Sequence, residues 1–163
     1  MLIESGFMIE GKPDVDAFVV FLLGVQNRRK SRAGWAFGNH IEAILSAHMI
    51  RFVREATTEK RNGPDFLFPG EAEYHNPDWP AEKLFMLAAK TSCRDRWRQV
   101  LAEADRIKRK HLLTLEQGIS GSQTQEMNRE NLRLVVPIQL HESYRIEQHT
   151  FLMTVRGFLG ILG

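Results

Sequence analysis

The chain has 163 residues, enough for one domain with a core that needs no staples, and its single cysteine, Cys93, excludes an internal disulfide and points to a cytoplasmic compartment. Its 22 Lys and Arg against 20 Asp and Glu leave a net charge of only +2, which selects no class of partner. The placement is less even. Arg28, Arg29, Lys30 and Arg32 form one basic run, Arg94, Arg96 and Arg98 a second, and Arg106, Lys108, Arg109 and Lys110 a third, each of which alone reads as a solvated face.

In chain order, Pro13 and Asp14 open a helix predicted through Leu23 and stopped by Gly24. Its apolar run follows acids rather than a basic leader and is too short to span a bilayer, so a core helix is expected and no membrane partner. After a break at Ser31-Arg32-Ala33-Gly34, the positions Phe37, Ile41, Ile44, Leu45, Met49 and Phe52 trace a second amphipathic helix to about Ala56, with Glu42 on the flank of its buried stripe. Residues 57–62 are a polar link, Pro64 to Phe68 a short strand ended by Pro69-Gly70, and 71–80 a loop. Tyr74 in that loop raises the chemistry of a phenol nucleophile, but no activating group is evident, and packing or hydrogen bonding is the plainer role.

Leu84 to Ala89 has the length of a buried strand, closed by Lys90. From Trp97 the apolar positions Val100, Leu101, Ala104 and Ile107 follow helical spacing. The start of that helix is open. If it begins at Ser92, Ser92 and Asp95 form a capping box, and Glu103 lies about 16 Å up the axis. If Lys90 to Arg94 is extended, the chain runs out by roughly 13 Å and eight helical steps bring it back by roughly 12 Å, to the level of Lys90. Lysine and carboxylate then meet, and Arg94-Asp95-Arg96 projects as a donor and acceptor set suited to G·C edges.

Lys110 to Gly121 finishes the long helix or begins another, Gln123 to Arg129 is helical, and Leu132 to Leu140 is a strand that Pro137 places at an edge or a bulge. The apolar, glycine-punctuated end is a docked terminal element or the place where a natural domain was cut. Six scattered histidines and one cysteine supply no zinc spacing, and no phosphate-binding glycine loop is present.

The ordered set Pro64-Asp65, Lys90 and Glu103, with KTSCRDRWRQVLAEADRI at 90–107 and HLLTLEQGIS downstream, resembles the catalytic domain of EcoRII-type restriction endonucleases over most of residues 28–144. The intervals between the three polar residues are 25 and 13. The resemblance implies an α/β fold with a mixed central sheet flanked by helices, the PD-(D/E)XK core, in one catalytic domain whose family counterpart extends upstream of Met1. It further implies Mg²⁺ held by Asp65 and Glu103, Lys90 as catalytic partner, and Arg94, Asp95 and Arg96 reading a CC/GG half of a CCWGG-like site in double-stranded DNA. A homodimer and a cognate DNA methyltransferase in the same system follow from it as well. The family carries an additional acid on the second helix. This sequence has Gly38 at that position, with Glu42 one turn later, which gives a second reading: a catalytically impaired homologue that still binds DNA. A third reading, a structural α/β protein with basic surface runs, is separated by salt-dependent duplex binding.

Overall fold

The computed structural model describes residues 8–9, 12–28 and 33–163, so most of the first basic run lies outside the described residues. A small antiparallel pair, β1 (Met8–Ile9) and β2 (Lys12–Pro13), precedes helices α1 (Val15–Arg28) and α2 (Ala33–Ala47). The main sheet follows, with strands β3 (Val53–Arg54), β4 (Phe66–Phe68), β5 (Phe85–Lys90), β6 (Lys110–Thr114), β7 (Leu132–Val135) and β8 (Leu152–Met153) adjacent in that order. The first three are antiparallel to their neighbours, and β5 to β8 are parallel. Short helices α3 (Glu71–His75), α4 (Trp97–Val100) and α5 (Gly121–Arg129) fill the connections, and α6 (Val155–Leu162) closes the chain. No helix among the described residues is long and apolar enough to cross a membrane.

Alternation along the strands divides the core. Leu87, Leu113 and Val135 meet Phe18 of α1, Phe37, Ile41 and Leu45 of α2, and Phe158 of α6. Met86, Leu112 and Leu134 project the other way, on the side of the crossovers whose helices α4 and α5 contact β6 and β7. Every residue of β6 is buried, as befits a parallel strand covered on both faces.

Several boundaries differ from the sequence reading. Asp14 caps α1 as expected, its Oδ1 accepting from the amides of Asp16 and Ala17 at 3.1 Å, but the helix runs through Gly24 to Arg28. One interior glycine costs about 1 kcal/mol, which packing of the Phe18–Val19 face outweighs. The second helix ends at Ala47, well before Ala56. Ile50 N–H donates to Leu45 O and Met49 N–H to Ser46 O, both at 3.0 Å, with Met49 at φ 57°. This is a Schellman stop built on methionine instead of glycine, so no composition signal marked it. Residues 71–75, expected as loop, make α3.

The segment 110–121, expected to be helical, begins with strand β6. Pro137 lies beyond β7, which is an interior strand: its ladder is flanked by β6 and β8, and the proline interrupts neither. The terminal run is a docked element, with Phe158 against Phe68 and His111.

Candidate active site

Asp65 stands immediately before β4, at the antiparallel edge of β5. Its backbone carbonyl accepts from Glu55 N–H at 2.9 Å, which extends the β3–β4 pairing and fixes the residue. Its carboxylate Oδ2 accepts from the Ala89 amide at 2.7 Å and from Lys90 Nζ at 3.2 Å. Both side chains are half-buried, about a third exposed for Asp65 and a quarter for Lys90. The spacing of 25 residues therefore closes into one contact at the end of a strand.

Glu103 arrives by a different route from the one its periodicity suggested. The helix expected to run to Ile107 ends after four residues, and the next three amides, of Leu101, Ala102 and Glu103, donate to carbonyls three residues back. Ala104, at φ 50°, then reverses the chain. Helical continuation fails because its donors are taken from outside: Ala104 N–H by Thr58 Oγ1 at 3.3 Å, Asp105 N–H by Glu59 Oε2 at 3.1 Å, and Arg106 N–H by the Tyr74 hydroxyl at 3.2 Å.

Lys110 completes the turn from within. Its buried ammonium donates to the carbonyls of Glu103, Ala104 and Ile107. Arg106 does the same for the 74–79 loop, donating to the carbonyls of Tyr74, Asn76 and Trp79. Half of the third basic run is thus internal.

The turn sets Glu103 within electrostatic reach of Lys90 and Asp65. Its carboxyl is pushed up to about 7, chiefly by burial; Lys90 opposes the shift, Asp65 adds to it and Lys110 opposes it. Its Oε2 is buried without a hydrogen-bond partner among the described residues. An orphaned carboxylate oxygen beside a second carboxylate is where a small hard cation would be favourable. Magnesium takes one or two protein carboxylates and keeps its waters, so Asp65 and Glu103 suit it. Among the described residues no group of three or more His, Cys, Asp or Glu forms a closed metal cage.

Glu42 is bonded elsewhere, accepting from Arg54 Nη1 at 2.7 Å; the same nitrogen donates to Asn39 Oδ1 at 2.5 Å. The Arg54 guanidinium crosses α2 over Gly38, where any Cβ would collide with it. The clashing atoms are the far end of a flexible side chain, so a larger residue at 38 would displace the Arg54 guanidinium from its place over the helix. Tyr74 is buried, and its hydroxyl donates to Glu59. Burial and that carboxylate raise its pKa, the opposite of what an activated phenol nucleophile needs.

The tip between Lys90 and α4 carries Arg94, Asp95 and Arg96, all exposed. No capping box forms here. Arg96 is the N-cap without a side-chain bond, and Ser92 Oγ turns to Glu116 Oε2 at 3.1 Å. Arg98 is paired with Glu126 through two contacts of 2.8 Å and lies over the Trp97 ring. Sequence reasoning missed Glu116, whose carboxylate also accepts from the amides of Cys93 and Arg94. No local sequence pattern marks it; its position follows from the parallel register Lys90↔Thr114, which places Glu116 level with Ser92.

Residues 1–159 match the family described as EcoRII C terminal. The type II restriction enzyme EcoRII of Escherichia coli is 46% identical over 154 residues, covering 94% of this chain and 38% of that enzyme. The chain thus spans well under half the length of this curated relative. Among solved structures, metal-depleted Ecl18kI in complex with uncleaved, modified DNA superposes with a TM-score of 0.69 at 23% identity, covering 88% of this chain and 48% of that one. Metal-depleted Ecl18kI in complex with uncleaved DNA gives 0.68 at the same identity and over the same shares. The mixed sheet with flanking helices is the restriction-endonuclease fold of PD-(D/E)XK type, and the chain belongs to the EcoRII C-terminal family.

Proposed function

We propose that this chain is the catalytic portion of a type II restriction endonuclease, hydrolysing both strands of DNA at a short CC/GG-containing, CCWGG-like site with Mg²⁺ as cofactor. The observation that carries the reading is the convergence of Asp65, Lys90 and Glu103 from three separate segments onto one strand end, with a buried carboxylate oxygen left unsatisfied. The 46% identity to a type II restriction enzyme supports the same chemistry.

Asp65 and Glu103 would hold the ion, which supplies Lewis-acid polarisation of a phosphoryl oxygen. Lys90, fixed by Asp65, orients the attacking water and stabilises charge developing on the phosphate. Glu103 must be ionised to bind a cation, and its raised pKa makes that step pH-dependent near neutrality. Arg94 and Arg96 present guanidinium forks to guanine O6 and N7, and Asp95 accepts from cytosine N4. A two-fold site calls for a homodimer, and a cell carrying the enzyme needs a methyltransferase that protects the same sequence.

Plasmid DNA incubated with the protein and Mg²⁺ should give discrete fragments that EDTA abolishes. Gly38 and the engagement of Glu42 by Arg54 favour the second reading, an impaired homologue. Specific duplex binding without fragments at any Mg²⁺ concentration would establish that reading in place of the first.

A further inference from the structure

We propose that Glu116 is a positioning residue for sequence recognition: its carboxylate presets the 92–96 turn and aims the Arg94 guanidinium. This rests on the functional reading above. Four donors from three consecutive residues converge on one side chain. Oε2 accepts from Ser92 Oγ at 3.1 Å, Cys93 N–H at 2.7 Å and Arg94 N–H at 2.9 Å, while Oε1 pairs with Arg94 Nε at 3.0 Å. The Glu116 side chain is only 12% exposed, whereas that of Arg94 is 55% exposed, so the anchor is inside and the anchored group outside.

Glu116 is itself held. Its N–H donates to Thr114 Oγ1 at 3.2 Å, and its carbonyl accepts from the hydroxyl of buried Tyr144 at 2.6 Å. A second clamp comes from Gln123 Nε2, which donates to Arg94 O at 3.1 Å. The parallel β5–β6 pairing, continued past its last strand residues, thus delivers a rigid anion to the start of the tip.

The chemistry favours positioning over neutralisation. Two amide donors on a carboxylate oxygen are charge-assisted bonds that close the turn. The Nε side of the Arg94 fork is engaged, so its terminal Nη pair lies outside that contact, on a side chain that is more than half exposed. Arg96, two residues beyond the anchored Arg94, has no ion pair among the described residues. A guanidinium already aimed loses less freedom on meeting a base edge, and that gain accrues to the correct base only.

The test uses the whole chain and two short duplexes of equal length, one carrying CCWGG and one with that site scrambled. Glu116→Ala should lower affinity for the CCWGG duplex by about 10-fold or more, on the scale of one good bidentate contact, and leave the scrambled duplex unchanged. Glu116→Gln keeps an acceptor for the amides but loses the anion paired with Arg94, so it should narrow the gap by a smaller factor. Hydrogen exchange of the Cys93 and Arg94 amides should accelerate in Glu116→Ala and much less in Glu116→Gln.

Equal loss on both duplexes, or an unchanged gap in a folded Glu116→Ala protein, overturns the proposal. If Glu116→Ala does not fold, an unchanged gap in Glu116→Gln overturns it. Arg96→Ala is the control for the functional reading. Should wild type show no gap between the duplexes, or Arg96→Ala not narrow it, base reading by the tip fails, and amide exchange still decides whether Glu116 holds the turn.

Discussion

The segments on either side of α4 look alike in sequence and are opposite in structure. Before it, residues 91–96 carry Arg94, Asp95 and Arg96 outward on a turn held from beneath by Glu116. After it, residues 101–110 are also rich in charge, yet Arg106 and Lys110 point inward and donate to backbone carbonyls. A cation takes an internal place where the chain leaves regular structure and strands its carbonyls; where a buried anion satisfies the turn instead, the cations stay on the surface. Charges before the helix should therefore register in DNA discrimination, and charges after it in stability.

The largest effect is expected for Lys110→Ala. Removing the ammonium leaves carbonyls of Glu103, Ala104 and Ile107 without their donor, at a cost of about 3–5 kcal/mol of folding stability, read by urea denaturation. Glu103 is carried on the same turn, so cleavage should fall on every substrate. A stability loss below about 1 kcal/mol would erase the contrast between the two segments.

Arg96→Ala should weaken binding to the recognised duplex by about 1–3 kcal/mol while leaving the melting curve unchanged. Uniform loss across sequences would reduce the tip to a phosphate contact. For Glu103→Gln the sign follows from a carboxyl raised from 4.5 to about 7. The folded state holds its proton longer than the unfolded chain, so stability falls as pH rises from 4.5 to 7 and is lowest above 7. The glutamine variant lacks this slope. It should match wild type near pH 4 and exceed it by about 1–2 kcal/mol at pH 8 without metal, after allowance for solvent screening of a partly exposed group. Parallel slopes in the two proteins would mean that Glu103 ionises freely. The smallest effect belongs to Arg109→Ala, an exposed cation of the later segment: a slight, sequence-independent loss of duplex affinity with a salt slope reduced by about 1.

Much of the candidate site was legible in the sequence because it sits on elements with clean signals. Asp65 leads into an apolar strand, Lys90 ends another, and their order with Glu103 and the RDR tip carried the family resemblance. The route to Glu103 was hidden, since Trp97, Val100, Ala104 and Ile107 keep helical spacing while tertiary donors and acceptors from Thr58, Glu59, Tyr74 and Lys110 unwind the segment. β6 was hidden by its own chemistry: a buried lysine and a buried histidine at its start disguise a strand covered on both faces. Glu116 had no local pattern at all, because a lone acid after Leu115 acquires meaning only from the β5–β6 register.

The central claim, that Asp65 and Lys90 act on the phosphate while the tip reads bases, is tested most directly by pairing cleavage with binding. Lys90→Ala and Asp65→Ala proteins, shown to be folded, are assayed for Mg²⁺-dependent cutting of a CCWGG plasmid and for gel shift of a CCWGG duplex against a scrambled one. The account predicts that cutting is abolished in both while discrimination between the duplexes survives; cutting at the wild-type rate, or loss of discrimination in both, would contradict it.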